Sequence, residues 1–120
     1  MVKKICSLGK SLGLAVYQNV KQGRTIWATD RRVKIVFTHQ GEKVNRRSLG
    51  IDVITQEGPG SANIKAFGKL LDVKSWPIQG VLVYGGSAFS KEFRGVLETH
   101  GALPIEDLET YVRTYFNLTL

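Results

Sequence analysis

The chain is poor in the residues that would mark a secreted, membrane or metal-dependent protein. It has one cysteine, Cys6, so no internal disulfide can form. A lone thiol fits a reducing compartment, and a cytoplasmic location is expected. No apolar run approaches the roughly 20 residues needed to span a bilayer, so no membrane partner is expected. The start, Met1-Val2-Lys3-Lys4, is basic and then apolar, but Lys10 and the nearby glycines interrupt it. With no small-residue cleavage site either, a signal peptide is not expected. The only two histidines, His39 and His100, are far apart and have no Cys or His at ligand spacing. No zinc, other metal or cofactor is expected from that set. There is no G-x-S-x-G stretch and no Cys/His pairing that suggests acyl transfer. Gly9-Lys10-Ser11 lacks the earlier glycine and the preceding strand that a phosphate-binding loop needs.

Acids are scarce in one half only. Residues 1–49 hold eleven Lys/Arg against two acids, Asp30 and Glu42, a surplus of nine positive charges. Residues 50–120 hold six Lys/Arg against eight acids, a deficit of two. The net charge of +7 therefore arises wholly from the first half. Such polarity suits a polyanionic partner, either nucleic acid or an anionic surface. A solvated basic face without a partner would have the same composition.

What is present is ordinary for a globular domain: 42% apolar and 22% charged residues in a chain of 120, long enough for one core. No repeat, low-complexity tract or linker divides it, so residues 1–120 are expected to form a single domain. Apolar residues from Val2 to Gln22 recur three and four apart, which predicts a helix with its firm part over Ser11–Gln22, stopped by Gly23. Cys6 falls on its apolar face as a packed thiol. Thr25–Thr29 reads as a short strand and Asp30–Arg32 as a polar turn. Val33–Thr38 reads as a second strand, Gln40–Arg47 as a hairpin loop, and Leu49–Thr55 as a third strand. Glu57–Gly60 reads as a turn, and Ser61 caps a helix through Leu71. Trp76-Pro77 breaks the chain before a buried strand, Gly80–Tyr84, ended by Gly85-Gly86. Phe93–Glu98 reads as a short edge strand. Pro104 opens a last helix, Ile105–Phe116, with Glu106, Asp107 and Glu109 in its first turn. Three strands in a meander, then a crossover helix to a buried strand, predict an α/β (α+β) fold. Its mixed sheet has four to five strands flanked by helices in the order α-β-β-β-α-β-(β)-α.

Within that order, Lys34-Ile35-Val36-Phe37 occupies the place of an E-V-D-F strand and Ile51-Asp52-Val53-Ile54 that of an I-E-V-K strand. An apolar strand ending in Gly85-Gly86 follows the intervening helix. The pattern resembles the restriction-endonuclease-like, or PD-(D/E)XK, superfamily. It looks closest to the nuclease-like C-terminal domain of bacterial and archaeal ATPases. The resemblance covers Gln22 to Gly86. It implies two carboxylates that hold a divalent metal, and a lysine two residues after the second, on the same strand face. The first acid position here is Val36, the outer acidic position is Lys34, and the lysine position is Ile54. Only Asp52 remains, so the resemblance implies a remnant site without nuclease activity, with Asp52 paired to Lys34 across adjacent strands. A displaced site would have to recruit Asp30, Glu42, Gln56 or Glu57.

The expected function is therefore a catalytically inactive nuclease-like domain that binds DNA or RNA through a basic hairpin face. That face comprises Arg24, Arg31, Arg32, Lys34, Lys43, Arg46 and Arg47, with Trp27 either stacking on a base or lying in the core. The alternative is a protein-interaction or assembly subunit, homo-oligomeric or bound to another protein. Its contact would be the last helix (Leu108, Tyr111, Val112, Tyr115, Phe116), joined by Phe89, Phe93 and Leu118.

Overall fold

The computed structural model describes residues 1–24, 30–45, 47–55, 62–85 and 89–118. The elements in chain order are α1 (Val2–Ser11), β1 (Leu14–Arg24), β2 (Asp30–His39), β3 (Leu49–Thr55) and α2 (Ala62–Lys74). They continue with β4 (Gln79–Gly85), α3 (Lys91–Thr99) and β5 (Leu103–Pro104). A single 3-10 turn, Ile105–Asp107, leads into α4 (Leu108–Tyr115). One five-stranded sheet runs β1-β2-β3-β4-β5, so its spatial order is the chain order. The first three strands form an antiparallel meander, and β4 then joins β3 in parallel through the α2 crossover. This is the mixed sheet flanked by helices that the sequence predicts, with one additional helix, α3.

Alternation along the central strands assigns their two faces. Leu49, Ile51 and Val53 of β3 and Val81 and Val83 of β4 pack with Ile5 and Cys6 of α1 and Leu108 and Val112 of α4. Ile54, Leu82 and Tyr84 pack on the other face with Ala66, Leu70 and Val73 of α2 and Leu97 of α3. On β2 the alternation breaks. Val33 joins the α2 side, whereas Ile35, two residues on, joins the α1/α4 side. The break falls at Lys34, between the Gln18↔Ile35 and Val20↔Val33 pairs, where Asn19 on β1 takes a left-handed φ of 54°.

Three sequence expectations need correction. The first helix stops at Ser11, and Leu14–Arg24 is a strand paired to β2. Leu12, Val16 and Val20 are four apart, a spacing that satisfies both helical neighbours and an alternating strand. Gly13, with φ of 79°, decides between them by turning the chain at a conformation costly for any other residue. Asp30–Arg32 is the start of β2 rather than a turn. Phe93–Glu98 lies within a helix rather than a strand. There Phe89, Phe93 and Leu97 repeat every four residues, and the Ser90 hydroxyl caps the end by accepting from the Phe93 N–H at 3.1 Å. The edge strand is instead Leu103–Pro104. The strand, turn and cap expected at 25–29, 57–60 and 61 lie outside the described residues.

Trp76 locks the layers together. Its indole lies over the Gly50↔Gly80 pair of β3 and β4. A Cβ on Gly80 would come within 2.5 Å of Trp76 Cε3, and one on Gly50 within 2.8 Å of Cζ3. The Trp76 indole N–H donates to Asp72 Oδ2 at 3.0 Å. Arg31 Nε lies 3.3 Å from Asp72 Oδ1, and Arg31 Nη1 donates to the Ser75 carbonyl at 3.2 Å. The start of β2, the end of α2 and the β3–β4 register are thus held at one point. Gly80→Ala should cost about 1–3 kcal/mol through overpacking against a rigid ring. Urea denaturation would measure it, and an unchanged midpoint would refute the close approach.

Candidate functional site

Val36, Asp52 and Ile54, the positions singled out by sequence, all face the α2 side of the sheet. Val36 is fully buried and Ile54 is buried in the same apolar cluster. Asp52, on β3 beside Leu82 of β4, keeps 14% of its side-chain exposure. Its Oδ1 accepts from the Val53 N–H at 2.8 Å and lies 3.4 Å from Lys69 Nζ of α2. Lys69 also donates to the Val53 carbonyl at 3.0 Å. The partner of Asp52 is therefore Lys69, not Lys34. The β2–β3 ladder ends at Ile35↔Ile51, one step short of an Asp52–Lys34 pair, and Lys34 is exposed.

This arrangement can hold an ion pair and fasten α2 to β3. Asp30 is bound 3.3 Å from Lys21 and Glu42 3.4 Å from Arg47, on separate parts of the molecule. Gln56 and Glu57 lie outside the described residues. Among the described residues, no group of three or more His, Cys, Asp or Glu side chains could hold a metal ion.

The basic residues divide into two groups rather than one cluster. Arg31 and Arg32 stand at the start of β2, and Lys43 and Arg47 in the loop after its end. Arg31 is 15% exposed and committed to Asp72 and Ser75, so its role is largely structural. Arg32 is exposed, with Nη1 donating to the Asn19 carbonyl at 3.1 Å. Arg47 is 75% exposed beside Glu42. Arg24 closes β1 opposite Asp30, whereas Arg46 and Trp27 lie outside the described residues.

The sequence reading missed Lys3, Lys4 and Lys10, which are all exposed on α1, a helix without any acid. Their helical spacing was the available signal. Among the described residues, Lys3, Lys4, Lys10, Lys34 and Lys43 take part in no ion pair.

The expected assembly face is mostly internal. Leu108, Val112 and Phe116 are buried in the α1/α4 core, and Phe89 is buried on the other side. Tyr111 and Tyr115 are half-buried, and the Tyr115 hydroxyl donates to the Ser48 carbonyl at 3.1 Å. The large apolar side chains left exposed include Phe67 and Leu71 of α2 and Val96 of α3. No helix among the described residues is long and apolar enough to cross a membrane.

Comparison with protein-family models, curated proteins and solved structures finds no match to this chain.

Two consequences can be measured. Asp52→Ala should destabilise the fold by about 1 kcal/mol, because the pair is only partly screened and the Val53 N–H loses its acceptor. A double-mutant cycle with Lys69→Met would give a coupling near zero if the pair is idle. Tyr84 is buried, and its hydroxyl donates to Glu98 Oε1 at 2.6 Å. Burial first, then the bond to Glu98, raise its pKa well above the ordinary 10.0. The native state holds this proton more tightly than the unfolded chain. The associated stability is therefore present below pH 10 and lost as pH climbs beyond it. Tyr84→Phe should flatten the alkaline fall of the thermal midpoint, and an identical slope in both proteins would contradict this.

Proposed function

We propose that this protein is a nuclease-like binding module without catalysis, which meets a nucleic-acid backbone with the half built from α1, β1 and β2. The observation that carries this reading is the strand order. Because the sheet runs β1 to β5 in chain order, the β1–β2 ribbon forms one end of it, while α1 crosses the sheet toward β4 and brings Lys4 beside Glu106 and Glu109. Exposed lysines stand on α1, on β2 and in the β2–β3 loop of this half. Phosphates would be met by Lys3, Lys4, Lys10, Lys34 and Lys43, with Arg32 and Arg47 beside them. Contacts of this kind position a protein on the backbone without reading sequence.

The absence of catalysis is supported by Val36 and Ile54, which fill the α2 side with hydrocarbon, and by the Lys69 ammonium beside Asp52. Metal-assisted hydrolysis would need carboxylates converging where those side chains stand. A second reading, a protein-assembly subunit, is supported by the exposed Phe67, Leu71 and Val96 on α2 and α3, at 40%, 71% and 41% exposure.

Fluorescence anisotropy of labelled single- and double-stranded DNA and RNA, at low and physiological salt, tests the first reading. Affinity should fall steeply with salt, and each phosphate-contacting lysine removed should reduce the log–log slope by about 1. The Lys3→Ala/Lys10→Ala variant should weaken binding to all sequences alike. Asp52→Ala should bind within about twofold of the parent, since it forms no phosphate contact in this reading. No binding at low salt would remove the nucleic-acid reading in favour of a protein partner.

A further inference from the structure

β4 is paired with β3 along its whole length, Gln79 to Gly85, but with β5 only at Val83 and Tyr84. Among the described residues, no strand lies beside its outer edge from Gln79 to Leu82. Along a strand every second residue turns its N–H and C=O to the same side, so peptide groups there face outward. Such edges accept added strands unless something blocks them. The opposite edge, β1, is interrupted by the left-handed Asn19 and carries the Lys21–Asp30 ion pair. Gln79-Gly80-Val81-Leu82 has no proline, no charge and no break in its register with β3.

A cleft of about 340 Å³ lies along this segment. Leu70, Val73 and Leu82 supply an apolar wall, and Tyr111 of α4 closes the other side. The remaining ionisable groups of the lining are Lys74 and His100, and no acid among the described residues lines the cleft. Lys74 is exposed and belongs to none of the ion pairs among the described residues. The cleft thus combines an unpaired strand edge, an apolar wall and a cationic rim. A phosphodiester could use the rim and accept from an edge N–H, but it has no donor for the edge carbonyls and no apolar group for the wall.

We infer that this cleft docks an extended peptide segment of a partner protein. The segment adds as a strand beside Gln79–Leu82, in continuation of β5, and sets a carboxylate against Lys74 and His100. Main-chain hydrogen bonds supply affinity in this mode, and alternate side chains supply selectivity. One face of the added strand would place an apolar side chain against Leu70 and Val73.

The test uses the full chain and two fluorescein-labelled peptides. One is Thr-Val-Thr-Val-Glu-Val with an amidated end, and the other has Lys in place of Glu. Fluorescence polarisation gives affinity, and amide spectra of isotope-labelled protein give location. Saturable binding of the Glu peptide is expected, with amide shifts concentrated at Gln79–Leu82 and Gly101. Binding should be about tenfold weaker for the Lys peptide, and likewise for the Glu peptide on Lys74→Glu protein. Equal affinities for both peptides, shifts elsewhere, or no saturation at millimolar peptide would overturn the proposal. So would concentration-dependent shifts of the same amides without peptide, together with a sedimenting dimer, since the edge would then belong to a second copy.

Discussion

The constraint on which the rest of this fold depends is the contact of the Trp76 indole with the backbone of two adjacent parallel strands. It requires glycine at both Gly50 and Gly80, because a methyl on either would stand inside the ring's contact distance. Burying an aromatic of this size contributes about 2–3 kcal/mol. Its larger effect is geometric. The same ring is oriented by Asp72, which also sits beside Arg31, so α2 cannot shift along the sheet without disturbing β2. Register between β3 and β4, placement of α2 and the path of β2 are thereby coupled.

That placement of α2 determines what Asp52 can be. Val36 and Ile54 share its face of the sheet and are covered by the helix, leaving the carboxylate at the margin of an apolar layer. A lone charge in such surroundings is costly, and Lys69 together with the Val53 N–H offsets that cost. The positions that the resemblance picked out do come together in space. Two of them are packing, and the third is a tether between strand and helix.

Much of this was legible in the chain. Val33–Thr38, Leu49–Thr55 and Gly80–Tyr84 announced themselves through β-branched runs bounded by turn residues, and all three fall within strands. The two confusions of helix with strand share one cause. Apolar residues four apart, at Leu12, Val16 and Val20 and again at Phe89, Phe93 and Leu97, fit a helix and a strand equally well. Tertiary pairing and the Ser90 cap decided each case. At the candidate site, the identities of Val36, Asp52 and Ile54 were readable, but the partner of Asp52 was not. Lys69 is seventeen residues away and arrives only through the docking of α2. The sequence revealed which half is basic. It did not reveal that Arg31 would be spent inside the fold, or that α1 would present its lysines to solvent.

A sheet whose spatial order repeats its chain order has two ends that differ in kind. One end is the β1 ribbon, interrupted at Asn19, and toward the other lies the open margin of β4. At about 4.8 Å per strand, roughly 14 Å of sheet separates β1 from β4, with helices on both faces. Occupants of the two ends would therefore not collide. In the proposed function a polyanion is met by the half built from α1, β1 and β2. Approach basic edge first leaves the β4 margin pointing outward. As proposed, the chain would serve as an adaptor, with one surface for a charged polymer and a second turned away from it toward whatever is to be brought there.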